Sequence, residues 1–114
     1  MDKEIKKSLL NFALAGSTPW LAASLWRNPI ILTIVLLLIG ILMLFLEKDR
    51  NSILLYIGAG IGGAITEVIS IYFGAWTYTE PTFAGIPIWL PFLWGAAGIF
   101  VLRFKKFIDA VFKK

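Results

Sequence analysis

The 114-residue chain has no cysteine and no histidine, and only 16% of its residues are charged. Without cysteine there can be no disulfide framework, thiol nucleophile or thiolate metal site. Without histidine the chain lacks the commonest general base, the usual haem ligand and most zinc sites. Acids are also sparse, with 7 Asp and Glu against 11 Lys and Arg. A metal would need oxygen ligands, and Glu67 has no second acid near it, so no metal site is expected. The glycine-rich run Gly58–Gly63 (GAGIGG) has no lysine partner and no βαβ context, which argues against a phosphate-cradling loop. No cofactor is expected.

The low charge also bears on the setting. A soluble domain carries about 25% charged and 45–50% apolar residues. This chain is 59% hydrophobic, more than a chain of its length can hide from water. The expectation is an all-α integral membrane protein forming a single domain over residues 1–114.

Four apolar stretches set its organisation. Pro29–Leu46 (PIILTIVLLLIGILMLFL) has Thr33 as its only polar side chain and reaches roughly 27 Å as a helix, close to a hydrocarbon core. It ends at the polar turn Glu47–Asn51. Ile53–Phe73 is slightly longer but holds several glycines, Thr66, Glu67 and Ser70. Ile86–Leu102 follows, with Pro87 and Pro91 near its start. The intervening Gly74–Gly85 is rich in turn formers and aromatics, and Trp76, Tyr78 and Trp89 suit an interfacial belt. The first stretch, Ser8–Trp26, reads in two ways. It is either a span kinked at Gly16–Pro19, with a helix restarting at Thr18-Pro19, or an interfacial helix presenting Ile5, Leu9 and Phe12 on one face.

Charge placement bears on the choice. With four spans, every Lys and every Arg except Arg27 falls on one side. With three, Lys3, Lys6 and Lys7 change sides. The positive-inside rule favours four spans in the cell membrane with both termini cytoplasmic. The same distribution explains the basic balance without nucleic acid. The terminal RFKKFIDAVFKK places Phe104, Phe107, Ile108, Val111 and Phe112 at helical spacing, with lysines elsewhere. It predicts an amphipathic helix over 103–114 lying on anionic lipid.

Within the third span, Gly60, Gly63, Glu67, Ser70 and Gly74 recur at steps of three and four, so small and polar groups share one helical face. Gly58 and Gly62 form a GxxxG pair. Gly95 and Gly98, with Pro91, give the fourth span a matching small face. These glycines predict close helix packing, within the chain or between copies. Glu67 is the most informative residue. An acid near the bilayer centre is costly and faces protein or water. No Lys or Arg lies in an apolar stretch to pair with it. The sequence predicts a protonated carboxyl near Gly95, donating a hydrogen bond to Ser70, Asn11, Thr66 or a backbone carbonyl, in a structural or a proton-transfer role.

The segment Glu67–Trp94 places this glutamate before a Gly/Tyr-rich loop, a Gly-hydrophobic-Pro step at Gly85–Pro87, and then Pro91 and Trp94. It resembles a segment of the carotenoid-hydratase-like membrane proteins, the bisanhydrobacterioruberin hydratase family, with Glu67, Gly74, Tyr78, Gly85, Pro87, Pro91 and Trp94 as the matching positions. The likeness covers 28 of the 114 residues. It implies water addition to an isoprenoid double bond with Glu67 as the acid.

Three classes of function are therefore open. The first is a non-enzymatic subunit, forming a homo-oligomer or part of a larger membrane complex. The second is a proton-coupled or ion-conducting oligomer. The third is an isoprenoid-lipid enzyme with Glu67 as proton donor and Glu67, Ser70, Trp76, Tyr78 and Trp94 as ligand contacts.

Overall fold

The computed structural model describes residues 3–112. Lys113 and Lys114, the end of the expected surface helix, lie outside the described residues. The described chain forms four α-helices: α1 (Lys3–Leu25), α2 (Pro29–Glu47), α3 (Arg50–Tyr72) and α4 (Leu90–Val111). Two of them, α2 and α3, are long and apolar enough to cross a membrane, with mean hydropathies of 3.1 and 1.7. The bundle is 47 Å long. Helix α4 is its hub: it touches all three others and packs most extensively on α3, whereas α1 and α3 do not meet.

Local chemistry sets the helix ends. Pro29 opens α2, where its missing N–H removes no bond. Lys48 closes α2 in the left-handed region, at φ 53°, and its N–H bonds to the Leu44 carbonyl. Asp49 caps α3 by accepting from the Asn51 backbone N–H at 2.9 Å. That bond, and then Lys106, hold the Asp49 carboxyl below the usual carboxylate range.

Several boundaries differ from expectation: α1 begins at Lys3 rather than Ser8, and α4 at Leu90 rather than Ile86. Helix α1 does not restart at Thr18-Pro19; it runs through Pro19. Proline there leaves the Ala15 carbonyl without its usual i+4 donor, and Thr18 Oγ1 supplies a hydrogen bond to that oxygen at 2.7 Å. At the other end, α4 does not stop at Leu102 before a separate surface helix. It continues unbroken to Val111. The continuation packs on α1, with the Phe107 and Phe12 rings edge to face at 5.3 Å.

The interior has two apolar clusters and a set of polar groups. Leu32, Leu36, Ile86, Trp89 and Leu90 form one cluster, and Met43, Ala96 and Ile99 the other. Ser8, Asn11, Thr18, Glu47, Ser52, Glu67 and Arg103 are buried beside them, while many Leu, Ile and Phe side chains lie exposed on the outside.

The glycines explain how α4 approaches its neighbours. A Cβ at Gly60 would meet the Pro91 carbonyl at 2.9 Å, and one at Gly98 would meet the Leu55 carbonyl at 2.9 Å. The Trp94 indole occupies the space where a Gly63 Cβ would stand. Gly95 faces the Tyr56 ring, which also fills the gap over Gly40 of α2. Gly60, Gly63, Gly95 and Gly98 thus sit where other parts of the chain approach closely. At Gly58, Gly62 and Gly74 no other part of the chain lies within 4 Å of an added Cβ.

One end of the bundle is tied by ion pairs. Arg103 of α4 is 1% exposed. Its Nε and Nη2 each donate to Glu47 at 2.6 Å, and its Nη1 to Glu4 Oε1 at 3.0 Å. Lys106 donates to Glu47 at 3.3 Å and to Asp49 at 3.2 Å. The cluster joins the start of α1, the α2–α3 turn and the last part of α4, so the helices alternate up and down. The bidentate pair is buried on both sides, so losing one partner strands a charge. Arg103→Met should therefore cost about 3–5 kcal/mol, measured by reversible denaturation in detergent. Joining it with Glu47→Met should recover most of that loss, because the buried carboxylate left with Lys106 as its remaining cation is gone.

Candidate functional site

The opposite end holds the other buried carboxylate. Helix α3 ends in a Schellman motif. Gly74 takes φ +82°, the Ala75 N–H reaches the Ser70 carbonyl at 2.9 Å, and the Gly74 N–H reaches the Ile71 carbonyl at 3.0 Å. Gly74 is therefore a cap rather than a packing residue. The reversal it allows turns the chain back along α3 and delivers Trp76 and Tyr78 to Glu67.

The loop then tightens at Phe83–Ile86, which share two backbone hydrogen bonds of 3.1 and 2.8 Å across Ala84 and Gly85. Both central residues have positive φ, 50° and 83°. Gly85 suits that conformation at no steric cost. Thr82 accepts from the Ile88 N–H at 3.2 Å, fixing the approach to α4.

Glu67 is 9% exposed and receives three hydrogen bonds from aromatic side chains. Trp76 Nε1 and Tyr78 Oη donate to Oε1 at 2.9 and 3.0 Å. Trp94 Nε1 donates to Oε2 at 3.0 Å. An indole N–H can only donate, so Glu67 serves as acceptor through both oxygens. The expected donation from Glu67 to Ser70, Thr66 or Asn11 is not what the geometry holds. Ser70 donates to the Thr66 carbonyl and Thr66 to the Gly62 carbonyl, each at 2.9 Å within α3. Asn11 is 1% exposed, and neither its Oδ1 nor its Nδ2 has a partner among the described residues; the same holds for the Tyr56 hydroxyl.

Of the five expected contact residues, the structure brings together Glu67, Trp76, Tyr78 and Trp94 and leaves Ser70 out. Glu67 does face α4, but through Trp94 rather than the adjoining Gly95. The Gly63–Trp94 contact is what admits the indole. Sequence reasoning missed the Arg103–Glu47 pair. Its only signal was that each residue sits alone at the end of an apolar run, which also describes an ordinary solvated flank. Among the described residues no group of acids could hold a metal ion.

No family model, no curated protein and no solved structure matches the chain.

The Tyr78 hydroxyl carries the clearest electrostatic consequence. Burial, then the hydrogen bond to Glu67 and its charge, push its pKa up from 10.0 to about 12. The folded state thus favours the neutral phenol. This contribution to stability is complete below pH 10 and is lost as pH rises towards about 12. In an ultraviolet titration, Tyr78 should form phenolate late, identified by its absence in Tyr78→Phe. Glu67→Gln should move this step to lower pH while leaving it above the ordinary tyrosine value, because burial remains. A Tyr78 step that is not delayed in the wild type would contradict the hydrogen-bonded geometry.

Proposed function

We propose that the chain is a multi-pass integral membrane protein that serves as a subunit of an oligomer or larger membrane assembly, docking through the outer face of α3. The carrying observation is the uncovered Gly58–Gly62–Thr66 stripe. It lies one helical step from the Gly60–Gly63 face that meets α4. Gly58 and Gly62 leave backbone bare, and the Thr66 hydroxyl is turned in to the Gly62 carbonyl. In lipid, helices associate by close backbone approach, so a bare small-residue stripe suits a second helix.

The setting has its own support. Exposed apolar side chains around a partly polar interior reverse the arrangement of a water-soluble protein. The helices are 19 to 23 residues long, enough for four spans. Their alternation puts Lys3, Lys6, Lys7, Lys48, Arg50, Lys105 and Lys106 at the ion-paired end and Arg27 at the other, which supports a cytoplasmic location for both chain ends in a cell membrane.

The test is cross-linking in bilayers. Gly58→Leu with Gly62→Leu should abolish cross-linked oligomers while preserving helicity, whereas Ile57→Leu should leave them intact. A wild-type chain that stays monomeric and without partners in native membranes would sink the reading.

One observation favours a second reading, the isoprenoid hydratase. Three positions of the hydratase-like segment, Glu67, Tyr78 and Trp94, converge at one point. A protonated Glu67 would give its proton to one alkene carbon. Aromatic faces would stabilise the cation at the other carbon, water oxygen would bond there, and the released proton would return to the carboxylate. Incubation with a polyene bearing a terminal trisubstituted double bond should yield a product heavier by one water, and Glu67→Gln should abolish it. No product from folded wild type would exclude this reading.

A further inference from the structure

A cleft of about 300 Å3 opens at the loop end of the bundle. Its walls come from three separate segments: Ala22 and Trp26 from the end of α1, Thr77 to Glu80 from the loop, and Pro87 and Trp89 from the entry to α4. The volume is at the lower end of small-molecule sites. The cleft adjoins the Glu67 cluster, with which it shares Tyr78, and is separate from the stripe on α3; what it binds does not depend on either reading above.

Three features define its chemistry. First, the wall is aromatic and held in place. The Tyr78 hydroxyl is tied to Glu67 at 3.0 Å, and its ring meets Trp89 edge to face, with centroids 6.2 Å apart at 90°. Trp89 is itself buried in the apolar cluster. Second, the carboxylate at this site is unused. Glu80 has no hydrogen bond or ion pair among the described residues, and the nearby Thr77 and Thr79 add hydroxyls. Third, the wall already attracts a cation: the Arg27 guanidinium sits over the Trp26 ring, 4.8 Å from its centroid.

We propose that this cleft binds an alkylammonium group, with Trp26, Tyr78 and Trp89 as the aromatic wall and Glu80 as the counter-charge. A quaternary ammonium is attracted to the faces of aromatic rings and gives up its weak hydration easily. A carboxylate adds a direct charge interaction, and two hydroxyls contribute polarity. The Arg27 guanidinium over Trp26 suits the phosphate of a zwitterionic headgroup, since it presents donors in a fork that matches phosphate oxygens. The ammonium can come from a choline-type lipid or from a soluble alkylammonium compound, and both present the same group to the wall.

The test uses the full chain in a maltoside detergent, which has no ammonium of its own. It is titrated with tetramethylammonium, with a short-chain phosphatidylcholine, and with phosphatidylglycerol of matched chains, following tryptophan fluorescence. Saturable binding of tetramethylammonium at millimolar concentration and of phosphatidylcholine is expected, with phosphatidylglycerol at least tenfold weaker. Tighter binding of phosphatidylcholine than of tetramethylammonium identifies a lipid source; equal binding identifies a soluble one. Glu80→Gln and Trp26→Leu should each weaken tetramethylammonium binding about tenfold, equivalent to ~1.4 kcal/mol, with helicity by circular dichroism unchanged. Because Glu80 is exposed and makes no hydrogen bond or ion pair among the described residues, Glu80→Gln does not threaten the fold. No saturable tetramethylammonium binding, equal affinity for the two lipids, or an unchanged Glu80→Gln variant each overturns the proposal.

Discussion

A buried carboxylate must find donors, and much of this molecule is arranged around that requirement. Glu67 accepts from Trp76, Tyr78 and Trp94, so one side chain fastens the connecting loop to both α3 and α4. Each of those bonds needs a particular backbone event. Trp94 reaches the acid because Gly63 has no side chain in its way. Trp76 and Tyr78 reach it because Gly74 reverses the chain one step after α3 ends. Leaving the buried Glu67 without these donors would cost more than the bonds themselves contribute, which makes the loop conformation and the helix spacing interdependent.

The second buried acid, Glu47, solves the same problem in another way. Its donors are charged: Arg103 grips both oxygens and Lys106 adds a third contact. The two solutions fit their places. The loop end offers aromatic residues and few cations, whereas the opposite end carries most of the lysines. Together the two carboxylates fix the bundle at both ends, and between them α3 and α4 are held close by glycines. The Asn11 side chain and the Tyr56 hydroxyl stand apart from this scheme, buried without hydrogen-bond partners among the described residues.

The helical class and the approximate places of the apolar helical segments were legible in the residues, but not that α4 runs without a break through the expected surface helix. Apolar runs separated by short polar turns leave few alternatives for a chain with so little charge. The partition of the glycines was only half legible. Spacing placed Gly60, Gly63, Glu67 and Ser70 on one face, but a helical wheel does not tell which members a neighbour will touch. Ser70 lies on that face and still spends its hydroxyl on its own helix. Likewise the interruption Gly16–Pro19 looks like a break, yet a hydroxyl beside the proline supplies the missing donor and α1 continues.

What the sequence determined by itself, then, is what periodicity and composition control: four helices, their turns, and the scarcity of polar groups in the apolar runs. Those properties are local, because each depends on residues a few positions apart. Tertiary structure alone decided the partners. Glu67 and Trp94 are 27 residues apart, and Glu47 and Arg103 are 56 apart. Such pairs form only when α4 comes to rest against the other helices at one rotation and one depth. That choice is set by side-chain volume at the glycines and by the need to satisfy each buried charge at the same time, and neither constraint is written in any single stretch of chain.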